Sequence, residues 1–381
     1  MDSQTSWVPR GSGDPVDDGW VAVRQAQEWA SERLDQSTWD YVRSGAGDEV
    51  TLLDNDRAWT RHRLLPHVMT DVSGLDTSIQ LFTHLRSHPI LTAPTATHTR
   101  YHPDGEIATV RGAAAAEAIT TISTLASQTV ADIGSAAADC GADWWMQVYV
   151  QRDRQQTWDL CSRAVAAGAG ALVVTVDTPS LGARDLDKRN QFGAAAGVTF
   201  PNIDHDSVIA DPTPAHRRIW NSHLANDLTA ADITELRNRF DVPVLVKGVL
   251  RADDARRAVD AGAQGVIVSN HGGRNLDSTP ATADVLSSIV GAVRESGSDV
   301  PVLVDGGIRR GTDVAVALCL GATAVLVGRP IIWGLATYGQ VGVTHVLDIL
   351  RTEFEMAMAL LGAGRVDQLS EDLLLRSHQS D

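Results

Sequence analysis

Apolar positions along the chain fall into two alternating patterns. Short, uninterrupted, β-branched runs recur at residues 89–94, 118–123, 144–150, 171–177, 242–247, 265–270, 300–305 and 323–328. Runs this short, without polar alternation, suit parallel strands buried on both faces. Between them lie Ala-rich stretches with helical spacing, such as Asp253–Ala261 and Thr312–Leu320. Several stretches close on a glycine placed where a helix ends: Gly141, Gly168, Gly262 and Gly321. Strand–helix alternation repeated eight times predicts an α/β fold, a closed (β/α)8 TIM barrel. The competing doubly wound sheet would carry a GxGxxG turn after its first strand, and the chain has none there.

Two segments exceed a minimal barrel. Residues 16–88 precede the first run and hold a helical pattern over Val21–Val42, expected to cover the barrel bottom and send a loop to its top. The segment from Thr178 to about Leu228 is rich in Pro, Gly, Asp and His and has the length of an active-site lid. Residues 1–15 include WVPRGSG (Trp7–Gly13), which resembles a protease-site linker, and are expected to be disordered. Residues 16–381 are expected to form one domain.

A chain of 381 residues fits one barrel with insertions. The formal charge of −16 argues against binding a phosphate backbone, so no nucleic-acid partner is expected. Val314–Gly328 is interrupted by Gly321 and flanked by charge, and reads as a helix then a buried strand; no membrane partner is expected. Cys140, Cys161 and Cys319 match no metal or redox spacing. No metal and no disulfide are expected, and a reducing, cytoplasmic setting is the default. Only Lys188 and Lys247 are lysines, against 30 arginines. A lysine kept in so arginine-biased a chain invites a chemical explanation.

In such a barrel the active site lies at the C-terminal strand ends. These carry Thr95, Ser123, Gln147, Tyr149, Thr175, Asp177, Lys247, Ser269–Arg274, Asp305–Arg309, Gly328 and Arg329. The loops after the last two strands, DGGIRRG (Asp305–Gly311) and VGRP (Val327–Pro330), combine glycines that let backbone N–H groups approach phosphate with arginines that supply paired charge. Read blandly, each is a glycine turn; two adjacent loops with one arginine each favour a phosphate site. His271 stands in a glycine loop after the sixth run, with Arg274 three residues on, suited to clamp a carboxylate.

SNHGGRNLD (269–277), VLVKGV (244–249), VDGGIRRGTDV (304–314), VGRP, VTVDTPSLGARD (174–185) and APTATHTRYHPDGE (93–106) occur in order between about Tyr41 and Leu361. Together they resemble the FMN-dependent 2-hydroxy acid oxidase and dehydrogenase family, which includes glycolate, lactate and mandelate oxidising enzymes. The resemblance implies FMN as cofactor, a 2-hydroxy acid substrate, O2 as acceptor and a homo-oligomer, a tetramer in that family. It makes His271 the catalytic base and Asp177 its partner. Arg184, Arg274 and Tyr41 would hold the substrate carboxylate, and Tyr149 would contact the hydroxyl. Lys247 would stand beside flavin N1. Thr95, Ala96, Ser123, Gln147 and Thr175 would contact the flavin, Ser269, Asp305 and Gly307 would also bind the cofactor, and Arg309, Gly328 and Arg329 would form its phosphate site.

One departure bears on the substrate. Glycolate oxidising members carry a tryptophan where ISTLASQT (122–129) places Leu125, which implies room for a bulky or aromatic, mandelate-like acid. Thr97 and His98 also differ from the apolar-rich version in those enzymes. Alternatives remain: a dehydrogenase passing electrons to a quinone or protein, a flavin-free lyase or aldolase using Lys247 as a Schiff base, or a silent binding protein of the same fold.

Overall fold

The computed structural model describes residues 11, 13–190, 200–203, 219, 221 and 223–375. The expectations for residues 1–10 and 12, and for most of the long segment after the fourth run, lie outside the described residues.

The helical pattern expected over Val21–Val42 resolves into two helices, α1 (Val23–Arg33) and α2 (Gln36–Arg43). Asp35 breaks them: its carboxylate accepts from the Thr38 N–H at 3.0 Å and starts the second helix. A third helix, α3 (Val50–Ala58), follows, then an antiparallel hairpin of β1 (Ile79–Leu81) and β2 (His84–Arg86), neither of which the apolar pattern singled out.

All eight apolar runs form strands. They alternate with helices as β3 (Ile90–Thr92), α4 (Gly105–Ala115), β4 (Thr120–Ile122), α5 (Val130–Cys140), β5 (Trp144–Val148), α6 (Arg154–Ala166) and β6 (Leu172–Thr175). The short α7 (Asp185–Arg189) and then α8 (Ala230–Arg239) precede β7 (Val244–Val249) and α9 (Ala252–Asp260). The series ends with β8 (Gly265–Val268), α10 (Thr282–Glu295), β9 (Val302–Val304), α11 (Gly311–Cys319), β10 (Ala324–Val327) and α12 (Arg329–Leu361), the last kinked at Tyr338–Gly339. The strands close into a parallel barrel, with β10 pairing back onto β3 through Val327 and Thr92. Among the described residues no helix is long and apolar enough to cross a membrane.

Strand alternation decides what the barrel holds. Successive side chains point to opposite faces, so Met146, Val174, Val246, Val268 and Val304 pack outward with the helices. Trp145, Val173, Leu245, Ile267 and Leu303 form an inner apolar layer with Leu91 and Leu326. Ile79 and Leu81 of the hairpin join that layer and plug the barrel bottom, as the N-terminal extension was expected to do. The residues two positions beyond each inner apolar one are Gln147, Thr175, Lys247, Ser269 and Asp305. All five are buried. The same period that packs the core thus lays a polar floor at the top of the barrel.

Candidate active site

That floor opens into a cavity lined by Thr95, Ala96, Ser123, Gln147, Thr175, Lys247 and Asp305, and walled by Tyr41, Leu125, Tyr149, Arg184, His271 and Arg274. Gly307, Arg309, Gly328 and Arg329 line its other end. Two predicted site residues stand behind the lining. Asp177 backs His271, and the fully buried Ser269 lies beneath Lys247, whose Nζ donates to its hydroxyl at 2.9 Å.

His271 has a left-handed backbone, φ 58°, and is followed by two more positive-φ residues, Gly272 and Gly273. Its Nδ1 lies 3.0 Å from Asp177 Oδ1, and its Nε2 lies 3.3 Å from the Tyr149 hydroxyl. Asn275 donates to the Asp177 carbonyl at 2.9 Å and to the Thr178 hydroxyl at 2.8 Å, and Thr178 donates to Asp177 Oδ1 at 2.9 Å. Burial works to raise the Asp177 pKa, but the charge and hydrogen bond of His271, with Lys247 and Thr178, hold it below the usual carboxylate range. An anionic Asp177 fixes Nδ1–H as donor and leaves the Nε2 lone pair toward the cavity. Asn275 and Thr178 were not singled out from sequence, although one lies within the quoted SNHGGRNLD and the other directly follows Asp177.

An irregularity in β7 directly follows Lys247. The register between β7 and β8 shifts between Lys247 and Val249, and Gly248 takes φ 109°. A Cβ on Gly248 would lie 2.6 Å from the Asp177 side chain. Just before this bulge, Lys247 Nζ pairs with Asp305 Oδ2 at 2.8 Å, both buried. Gly248→Ala is therefore expected to cost about 1–3 kcal/mol of stability, read as a lower urea midpoint. Gly74→Ala, where no atom lies within 4 Å of the added Cβ, is the control; equal effects would remove the constraint.

Gln147 is locked in one amide orientation. Its oxygen accepts from the Thr124 N–H at 3.1 Å and its nitrogen donates to the Thr175 hydroxyl at 2.9 Å. Arg184 and Arg274 both stack on Tyr41, with guanidinium carbons 5.5 and 4.7 Å from the ring centre. Arg184 also pairs with Asp187 at 3.1 Å. Arg274 donates to the Tyr41 and Ser44 carbonyls at 2.7 and 2.9 Å, so the C-terminus of α2 is brought to the barrel top.

At the other end, Arg329 donates to the Val42, Gly272 and Ser44 carbonyls, each at 3.0 Å. Arg309 pairs with Asp56 at 3.0 Å and lies over the Trp333 ring. Burial pushes the Arg274 and Arg309 pKa values down, and burial with the charges of Arg274 and Arg309 pushes Arg329 down to about 9. Half-buried guanidiniums that repel one another favour an anion between them. A Cβ on Gly307 would lie 2.0 Å from the Asn55 carbonyl oxygen, so its loop can approach no closer with a side chain. An anion-seeking end, a floor of oriented amide, hydroxyl and ammonium groups, and an apolar rim of Ala93, Leu326 and Ile332 fit a flat heterocycle carrying one phosphate.

Known proteins share this architecture. The model of the FMN-dependent dehydrogenase family matches residues 30–376. A peroxisomal (S)-2-hydroxy-acid oxidase of Oryza sativa subsp. japonica is 44% identical over 94% of this chain and 95% of its own. An L-lactate oxidase of Nostoc sp. is 40% identical over 93% of this chain and 98% of its own. The crystal structure of a mandelate oxidase with (S)-2-phenylpropionate superposes with a TM-score of 0.82 and 38% identity, covering 91% of this chain and 96% of that one.

Proposed function

The chain belongs to the FMN-dependent dehydrogenase family, and on that premise we propose that it oxidises a bulky (S)-2-hydroxy acid to the 2-oxo acid and reduces O2 to H2O2. The family is enzymatic and its cofactor is FMN. The observation that carries the proposal is the His271–Asp177 pair, with Nε2 open to a cavity that also holds Arg184, Arg274 and Tyr149.

Arg184 and Arg274 bind the substrate carboxylate, and their stacking on Tyr41 holds both forks in one orientation. This presents the 2-hydroxyl to His271 Nε2, which takes its proton. The imidazolium so formed is stabilised by Asp177, itself held by Thr178 and Asn275. Tyr149 orients the hydroxyl from the other side of Nε2. FMN, when bound, supplies the acceptor for the two electrons that leave the substrate. Gln147 and Thr175 would hold its ring edge, Lys247 would face the charge it gains on reduction, and Arg309 and Arg329 would hold its phosphate. In sum, the hydroxy acid loses two electrons and two protons, and O2 gains them.

Leu125, Leu181 and Tyr101 wall the substrate side. An isobutyl group in place of an indole leaves apolar space, and filling it is worth roughly 25 cal/mol per Å2. Mandelate is expected to exceed glycolate in kcat/KM, with lactate and longer aliphatic acids between, and Leu125→Trp is expected to reverse the order. A wild type that prefers glycolate, or a ranking that survives Leu125→Trp, overturns the size reading. Stoichiometric peroxide in air supports O2 as acceptor; reduced protein that persists in air and reoxidises with a quinone overturns it.

A further inference from the structure

Behind the cavity lies a histidine that the reaction above does not use. His98 is 3% exposed. Its Nε2 is 2.6 Å from the Thr95 hydroxyl and its Nδ1 is 2.9 Å from the Thr109 hydroxyl in α4. Its backbone N–H donates at 3.1 Å to Glu106, a fully buried carboxylate that also accepts from the Ser127 backbone and hydroxyl. Thr95 and Thr109 therefore hold the imidazole at both nitrogens, and Glu106 holds its backbone. Thr95, at the other end of the chain of contacts, lines the cavity.

We propose that His98 is a positioning residue that fixes the Thr95 hydroxyl as a hydrogen-bond acceptor toward the bound cofactor. The proposal rests on the reading of this cavity as the FMN site. Burial pushes the imidazole pKa down, against the charge of Glu106 and a hydrogen bond to the Thr95 backbone, and favours the neutral ring. A neutral imidazole has one donor nitrogen and one acceptor. Thr109 has a second acceptor for its own hydrogen, the Gly105 carbonyl one helical turn back at 3.5 Å. The Thr95 hydroxyl has no hydrogen-bond partner other than His98 among the described residues. The arrangement that pairs both hydroxyl hydrogens within the protein puts the proton on Nδ1, donating to Thr109, and gives Nε2 the Thr95 hydrogen. Thr95 then has only lone pairs left for the cavity, and pairs with an N–H or O–H of the cofactor, not with a carbonyl.

Two substitutions probe opposite ends of this relay. His98→Leu releases the Thr95 hydrogen. Thr109→Val removes the acceptor for Nδ1–H, so the proton moves to Nε2 and turns Thr95 from donor to acceptor in the pair. The readouts are the dissociation constant of FMN from apoprotein, by quenching of flavin fluorescence, and the reduction potential of the holoprotein. Each variant is expected to weaken FMN binding about 2- to 10-fold, the scale of one hydrogen bond, and to shift the potential. His98→Gln, whose amide oxygen can take the Thr95 hydrogen, is expected to retain most of the affinity. In a Thr95→Val background neither change should have further effect. Thr109→Val, a near-isosteric change, carries the test if His98→Leu does not fold. Unchanged affinity and potential in Thr109→Val, or effects that persist in the Thr95→Val background, overturn the relay. A wild-type apoprotein that takes up no FMN overturns instead the cofactor reading on which it rests.

Discussion

His271→Ala is expected to slow reduction of the bound flavin by substrate about 10²–10⁴-fold, the usual contribution of a positioned general base, while FMN stays bound. The selectivity follows from position. Nε2 faces the Tyr149 hydroxyl at 3.3 Å, in the cavity that also holds the two arginines. The end proposed to hold the phosphate is lined by other residues, Arg309 and Arg329. The Arg329 fork does touch the loop of His271 through the Gly272 carbonyl, but by backbone, which alanine leaves in place. His271 sits at φ 58°, a conformation that costs alanine no less than histidine, so part of any stability loss is shared by every residue there. Anaerobic stopped-flow reduction separates the two effects: a protein that is yellow and folded but reduces slowly fits the base, and one that reduces at the wild-type rate overturns it.

Arg274→Lys is expected to lower kcat/KM for the hydroxy acid about 10- to 100-fold, the scale of losing one or two hydrogen bonds to a charged group. Charge is conserved in this change, so a loss isolates geometry. Arg274 divides its nitrogens between two tasks. One Nη donates to the Tyr41 and Ser44 carbonyls, and the guanidinium plane stacks on Tyr41. A lysine ammonium is a point charge that can serve one task, not both, and has no plane to stack. Buried beside Arg184, it would also be pushed to lose its proton, since like charge and desolvation already press on Arg274. Steady-state kinetics with one good substrate checks this. Unchanged kcat/KM would move the carboxylate site away from Arg274.

Both expectations draw on residues whose positions were legible in very different degree. The barrel strands were legible because their signal is local. A parallel strand covered on both faces must be apolar throughout, and Leu172–Thr175 or Val302–Val304 meets that demand within its own few residues. The polar floor was legible for the same reason: period-two alternation puts Gln147, Thr175, Lys247 and Asp305 on the inner face, next to the inward Trp145, Val173, Leu245 and Leu303. The hairpin β1–β2 was not, since three-residue strands on a plug carry too few positions for a period. The single helical pattern at Val21–Val42 hid a break that depended on one capping aspartate.

Sequence alone therefore determined the barrel, the end of it that carries chemistry, and which side chains stand there. Tertiary structure decided how those side chains spend their hydrogen bonds. Arg329 and Arg274 meet the carbonyls of Val42 and Ser44 across more than two hundred residues of chain, a meeting set by barrel closure and the docking of α2. Ser269 was expected at the cofactor site, and the fold shows the partner of its hydroxyl, the Lys247 ammonium on the neighbouring strand. His98 looked like a mere departure from an apolar loop; only the fold brings Thr95 and Thr109 to its two nitrogens. Periodicity encodes the face a residue takes, which is a property of one segment. The partner it finds there is a property of two, and chain closure alone brings them together.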